Sequence, residues 1–229
     1  MTPKVHPRPA LDLVFKDSRN VSKFLAKGDP LEILHRELGP RFTDYRQRWD
    51  LAKSFKKIPL FPLHVDYELK SVCNLRCPMC PMALRQGLVT SEELTLNLVK
   101  ALIDEGTENG QASIGFGGLW EPLTSNDLPE IISYGRDKGI VEAMFNTNGL
   151  LLGESQARDL IGAGLTRIMI SLDAVTPDTY SLMRPGGDLR RVEENILSFL
   201  AKRKEARSRL PLVRLSFCLT RINQAELIP

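Results

Sequence analysis

No run of apolar residues in this chain approaches the roughly 20 that a membrane-crossing helix needs, and stretches such as Ile58 to Val65 are broken by Pro or charge. The polar start, Met1 to Pro9, lacks the apolar segment of a secretory signal. An excess of one charge is missing too. Lys and Arg number 31 against 28 acids, which leaves +3 with both signs mixed, so the electrostatic footprint of nucleic-acid binding is absent. No repeat of about 20 to 50 residues and no low-complexity tract is visible, which argues against a solenoid. What is there is an ordinary globular composition: 229 residues, 42% hydrophobic and 26% charged, enough for a real core. The expected location is a reducing cytoplasm. Of only four cysteines, three fall within eight residues, and in a reducing compartment such a group points to metal binding rather than disulfides.

Residues 1–60 are rich in Arg, Lys, Asp and Pro, and they read as a helical N-terminal leader packing outside the main fold, with helices at 18–27, 31–38 and 43–56. Residues 61–229 form the core region. Strand-like runs near 63–69, 112–117, 140–146, 166–172 and 212–218 alternate with amphipathic helical runs, the pattern of repeated βα units on a parallel sheet. Helix starts are marked by a capping box at Thr90 and Glu93, by Thr176 before Pro177, and by Asp188 before a run with Val192, Ile196, Phe199 and Leu200 on one face.

Alternation within the strands assigns their faces. The apolar set, which includes Val65, Tyr67, Leu69, Ile114, Phe116, Ile168, Ile170, Val213 and Leu215, should meet the helices. The other face carries His64, Asp66, Glu68, Ser113, Gly115, Glu142, Met144, Asn146, Arg167, Ser171 and Arg214. A closed barrel stabilised by its interior would show Val, Ile and Leu there. The polar set predicts a solvated or ligand-filled interior, and the competing reading is a structural network of paired charges.

After the first core strand the chain reads Cys73-Asn74-Leu75-Arg76-Cys77-Pro78-Met79-Cys80, a C-x3-C-x2-C spacing. Structural zinc takes four ligands, and no fourth Cys or His lies near in sequence; His64 and Cys218 could complete a set but fall on predicted strands. A 4Fe-4S cluster held by three thiolates instead leaves one iron open to a cofactor or substrate. From about Leu63 onward the sequence resembles the radical S-adenosylmethionine (SAM) superfamily. The resemblance implies a partial (βα)6 barrel, Cys73, Cys77 and Cys80 as cluster ligands, and SAM chelated by the open iron. Reductive cleavage of SAM would then give a 5′-deoxyadenosyl radical that takes hydrogen from a substrate.

Further positions resemble the family's motifs, in order, at the ends of successive strands. Glu121-Pro122-Leu123 is similar to the Gly-Gly-Glu-Pro turn, with Trp120 where a glycine is usual and Gly117-Gly118 slightly upstream. Asn146-Thr147-Asn148-Gly149 is similar to the Thr-Asn-Gly turn. The resemblance assigns SAM contacts to Met79, Glu121, Asn148, Ser171, Asp173 and Arg184, with Met79 standing where an aromatic residue is common. The Arg184 loop resembles the branch with auxiliary-cluster (SPASM) regions beyond the barrel. That branch implies a peptide, sugar or other small-molecule substrate and an electron donor such as flavodoxin or ferredoxin. Because five strands are visible and the family's barrel has six, the core is expected to be truncated after the fifth strand and prone to associate through the edge of 212–218. The rival readings are a zinc or iron-sulfur binding domain without turnover, and an inactive fragment of a longer enzyme.

Overall fold

The computed structural model describes residues 14–15, 25–26, 28–83 and 92–226. Two short strands, β1 (Val14–Phe15) and β2 (Leu25–Ala26), pair antiparallel. The expected helix at 18–27 lies mostly outside the described residues, and where it is described, at Leu25–Ala26, it is strand rather than helix. The two later leader helices appear as one element, α1 (Pro30–Lys53), capped by the Asp29 carboxylate. It kinks between 38 and 43 because Gly39 takes a left-handed φ of 71° and Pro40 cannot continue the hydrogen-bond ladder. The helix ends at Lys53, three residues before the expected 56.

The core is a five-stranded, all-parallel sheet in sequential order: β3 (His64–Tyr67), β4 (Ser113–Phe116), β5 (Glu142–Thr147), β6 (Arg167–Ser171) and β7 (Leu212–Ser216). Each pair is joined by a crossover through α2 (Leu96–Glu108), α3 (Leu128–Lys138), α4 (Glu154–Ala163), or α5 (Pro177–Met183) followed by α6 (Leu189–Glu205). This is the parallel βα sheet that the alternation of strands and helices predicts, and it matches the partial barrel that the family resemblance implies. The outward face holds for most of the assigned set: Tyr67, Ile114, Phe116, Ile168 and Ile170 are buried, with Phe145, against Val99, Ile103, Ile131, Leu160, Val192 and Phe199 of the helices, whereas Leu215 on the edge strand is exposed instead of meeting a helix. Burial of each such side chain contributes about 1.5 to 3 kcal/mol.

Thr176 and Asp188 cap α5 and α6 as expected. The expected Thr90–Glu93 box does not start α2. Thr90 lies outside the described residues, and Glu93 forms a β-bridge and an ion pair with Lys70, while the Thr95 hydroxyl accepts the Leu98 N–H and caps the helix. Glu93 is therefore held in extended backbone, tied to the end of the first barrel strand.

Helix α1 closes the N-terminal end of the barrel. Its Leu34, Phe42 and Tyr45 are buried with Leu63 and Ala112, which precede β3 and β4, and Val141 and Leu212 pack on the same cluster. Edge-on aromatic contacts run from Phe42 through Tyr45 and Trp49 to His64 at 6.0, 6.1 and 6.4 Å between ring centres. Arg48 donates to the Gly110 carbonyl at 2.7 Å, and Arg41 to that of Gly139, at the turns leading into β4 and β5.

Candidate active site

The loops at the C-terminal ends of the strands hold the residues singled out in the sequence, as a βα fold requires. The cysteine loop leaves β3 as irregular backbone, tightened by Cys80 N–H to Cys77 O at 2.9 Å and Ala83 N–H to Cys80 O at 3.1 Å. Leu75, nearly fully buried, anchors it to the core, while all three thiols remain only half-buried. Burial pushes the Cys73 and Cys77 thiols up; at Cys77 the Arg184 guanidinium works against it, and the neighbouring thiolates oppose one another's ionisation. The three thiols are thus close enough to influence one another electrostatically. Among the described residues no three His, Cys, Asp or Glu side chains converge on one ion. A single zinc needs its donors about 2.3 Å from one centre, whereas a cubane binds each thiolate at a separate iron, so three loop thiols that do not converge on one ion suit the larger group.

Glu121 is the hub on the opposite side. Its carboxylate accepts the Thr147 hydroxyl at 2.6 Å and the Leu123 N–H at 3.2 Å on Oε1, and the Asn148 N–H at 2.8 Å on Oε2. Its own N–H donates to Val72 O at 3.1 Å, fastening the turn to the cysteine loop. Burial pushes its pKa up, and these donors and Arg184 pull the other way. Asn148 reaches the same loop, donating from Nδ2 to Asn74 Oδ1 at 2.7 Å. The upstream glycines explain the Leu119-Trp120 insertion. Gly117 turns at φ 73°, where a Cβ would come within 2.5 Å of Pro122, and the Gly118 and Leu119 N–H groups donate to Glu68 at 2.7 and 2.8 Å.

On the third side Asp173, buried and at a left-handed φ of 60°, accepts the Cys218 N–H at 2.7 Å on Oδ1 and Arg184 Nη2 at 2.5 Å on Oδ2. Arg184 in turn points Nη1 at Cys77 Sγ, 3.8 Å away. The structure thus brings Cys73, Cys77, Glu121, Asn148, Asp173 and Arg184 into one connected shell. Half-buried Met79 lies on the same loop between Cys77 and Cys80, and half-buried Ser171 ends β6, two residues before Asp173. Cys218 enters through its backbone, and its exposed thiol stands apart from the loop cysteines in these contacts.

Three contributors were not assigned to the site from the sequence. Asn223, fully buried, donates to the carbonyls of Asp173 and Cys218 at 2.8 Å each and so ties the segment after β7 to the site. Glu68 was recognisable as inward-facing, but its task of holding the Gly118 turn depends on a residue 50 positions away. Tyr180 reads as a core aromatic and is one, yet its hydroxyl is buried with no partner among the described residues.

Deeper in the barrel the polar interior is largely paired, which corrects the expectation of a wholly solvated cavity. Glu142 and Arg167 form a buried ion pair, and His64 bonds Ser113 Oγ at 2.8 Å and Asp66 at 3.2 Å. Asp66 and Asn146 remain exposed toward the C-terminal mouth. The competing reading thus holds at the floor, and the solvated reading at the mouth.

A family model described as the Radical SAM superfamily matches residues 67–212. This chain belongs to the radical SAM superfamily. Curated relatives include a probable GTP 3',8-cyclase from Methanococcus maripaludis (strain C5), 35% identical over 127 residues that cover 54% of this chain and 41% of the relative. Another is an Fe-coproporphyrin III synthase from Methanosarcina barkeri, 34% identical over 147 residues, covering 60% and 36%. The chain therefore spans about two fifths of the length of the curated relatives it matches. Among solved structures, Streptococcus suis SuiB bound to S-adenosylmethionine superposes with a TM-score of 0.58 at 16% identity, over 89% of this chain and 43% of that one. The structure described as native anSMEcpe with bound AdoMet gives 0.53 at 19% identity, over 67% and 42%. At such identities the likeness shows the partial-barrel fold.

Radical SAM proteins use a 4Fe-4S cluster and SAM. The residues present fit the cluster: three half-buried free thiols lie on one loop, Arg184 reaches Cys77, and the buried donors Tyr180 Oη and Arg184 Nε have no partner among the described residues.

Proposed function

We propose that this chain is the catalytic core of a radical SAM enzyme that cleaves SAM reductively and abstracts hydrogen from a small-molecule or peptide substrate. The observation that carries this reading is the shell joining the cysteine loop to three further strand ends: Glu121 N–H to Val72 O, Asn148 to Asn74, and Arg184 to Cys77 and Asp173. Cys73, Cys77 and Cys80 would hold the cluster, which when bound supplies one electron to the SAM sulfonium from a flavodoxin- or ferredoxin-like donor. Glu121, Asn148, Ser171, Asp173, Arg184 and Met79 surround the space beside it and are proposed to hold the cofactor. Glu121 already accepts three internal bonds, so its remaining lone pair on Oε2 is what it can offer an ammonium. Arg184, oriented by Asp173, keeps a fixed positive charge beside Cys77, suited to a carboxylate.

The protein's own work is binding, orientation and exclusion of water around a reactive species. The exposed Asp66 and Asn146 at the barrel mouth favour a polar substrate. No described helix is long and apolar enough to cross a membrane, and a thiol-held cluster fits a reducing compartment; we place the protein in the cytoplasm. Residues 30–53 act with the core as its N-terminal cover rather than as a separate leader.

Anaerobic reconstitution with iron and sulfide, dithionite reduction and addition of SAM test the reading. The expected result is a brown protein with about four irons and slow release of 5′-deoxyadenosine, abolished by Cys77→Ala and retained by Cys218→Ala. A colourless protein carrying stoichiometric zinc would overturn it in favour of a structural metal domain.

A further inference from the structure

Tyr180 lies on the inner side of α5 with 1% of its surface exposed, and its hydroxyl has no hydrogen-bond partner among the described residues. A buried hydroxyl without a partner is destabilising, so its retention calls for an acceptor that the folded polypeptide alone does not supply. Its surroundings identify where that acceptor would sit. The Arg184 N–H donates to the Tyr180 carbonyl at 2.7 Å, which places the residue one helical turn from a guanidinium that reaches Cys77 Sγ. Gly187 leaves the room it needs: a Cβ there would lie 2.8 Å from Tyr180 Cε1 and 3.4 Å from its hydroxyl. A Cβ added at the adjoining Gly186 would lie 3.8 Å from Leu75 Cδ2 of the cysteine loop. Arg184 Nε is a second buried donor lacking a partner at the same place. Two orphaned donors thus lie on one helix-and-loop segment whose Arg184 reaches Cys77, and they share one unmet need for a sulfur or oxygen acceptor.

We propose that Tyr180 is a positioning residue of the cluster: its hydroxyl, with Arg184, donates a hydrogen bond to the sulfur at the Cys77 corner and so sets the cluster's reduction potential. This rests on the reading of Cys73, Cys77 and Cys80 as cluster ligands. Donors to cluster sulfur stabilise the more negative reduced state and raise the potential. The neutral phenol makes this contact without adding charge, because burial pushes its pKa up to about 12.

The test compares the reconstituted protein with Tyr180→Phe by dithionite titration followed by EPR, with and without SAM, and with Tyr134→Phe, whose half-buried hydroxyl on α3 donates to Asp104, as a control remote from the cysteine loop. Tyr180→Phe is expected to lower the potential, so that at a fixed poise the ratio of reduced to oxidised cluster falls by roughly three- to tenfold, in the absence of SAM as well as its presence. The cluster-free protein, in contrast, should melt no lower as Phe than as Tyr. Should the Phe variant fail to fold, pulsed EPR of the reduced wild-type protein, with and without ring-deuterated tyrosine, reads the same proximity as a tyrosine proton coupled to the cluster and lost on labelling. An unchanged potential, or no such proton, overturns the proposal while leaving the cluster assignment standing. A shift seen only with SAM also overturns it, because the acceptor is then the cofactor. Failure of the wild-type protein to assemble any cluster removes both the proposal and the reading beneath it.

Discussion

Asp173 uses both carboxylate oxygens within the protein, one on the Cys218 N–H and one on Arg184, at a backbone conformation that non-glycine residues seldom adopt. Removing Arg184 would leave that carboxylate buried without its counter-charge. Arg184→Met is therefore expected to cost about 3 to 5 kcal/mol of stability, read by urea unfolding of the cluster-free protein. Asp173→Asn, which keeps an acceptor for the Cys218 N–H, should cost less. The thiols give a pH signature. Burial raises Cys73 and Cys77 above the ordinary 9.0, so the folded cluster-free protein holds these protons where the unfolded chain begins to lose them. The associated stabilisation is present below the unfolded value and lost as pH rises through the higher folded values. Since iron ligation requires thiolates, cluster assembly must release protons and iron uptake should strengthen as pH rises from about 7 toward 9. Alkylation of Cys73 and Cys77 at about pH 8 should likewise be slower in the folded protein than in urea. Equal rates in the two states would show that burial does not restrain ionisation.

At the scale of elements, the turn from β4 into α3 and the start of α2 carry the informative differences between pattern and structure. Gly117→Ala combines a positive φ with a Cβ 2.5 Å from Pro122, and it would displace the turn that presents Glu121. The expected outcome is weaker SAM binding by titration and a lower melting temperature, since the strained conformation alone costs about 1 kcal/mol or more. Thr95→Ala should destabilise α2 by about 1 kcal/mol through loss of its cap, measurable by chemical unfolding. The Thr90–Glu93 pattern misled because Ser/Thr-x-x-Glu is a local signal, and here Glu93 is recruited by Lys70 at the end of the first barrel strand.

At the scale of the whole molecule, α1 and the barrel share one buried seam. Phe42 and Tyr45 are in contact with Leu63 and Ala112 at the feet of two strands, so the seam has no boundary at which the helix could melt alone. The described residues are expected to unfold in a single cooperative transition by circular dichroism and by tryptophan fluorescence, which reports Trp49 in this seam. Phe42→Ala should lower that transition by about 3 to 5 kcal/mol. Two resolved transitions would show that the helix is an independent leader. At the other end, Leu215, Leu219 and Ile222 are exposed on and after β7, whose outer edge pairs with no other described strand. This edge is where association of the 229-residue chain is expected to begin.

The sequence by itself determined the parallel βα order, because a period-two apolar face followed by a capped amphipathic helix has one economical packing. It also pointed to Cys73, Cys77 and Cys80 as the proposed cluster ligands, since C-x3-C-x2-C confines three thiols to a single loop whatever surrounds it. The motifs at Glu121, Asn148 and Asp173 were legible because each lies in the segment after a strand and so falls at one end of the barrel, whereas Arg184, at the end of α5, was given by the family resemblance alone. Only the tertiary structure decided which of them are tied to each other. Asn223 bonding Asp173, Glu68 holding Gly118, and Asn148 meeting Asn74 join residues 50 or more positions apart, and local pattern carries no information about such pairs. The floor of the barrel belongs to the same class. Glu142 and Arg167 read as independent inward charges, and whether they meet water or each other depends on adjacent-strand register and on α1 closing the end beneath them.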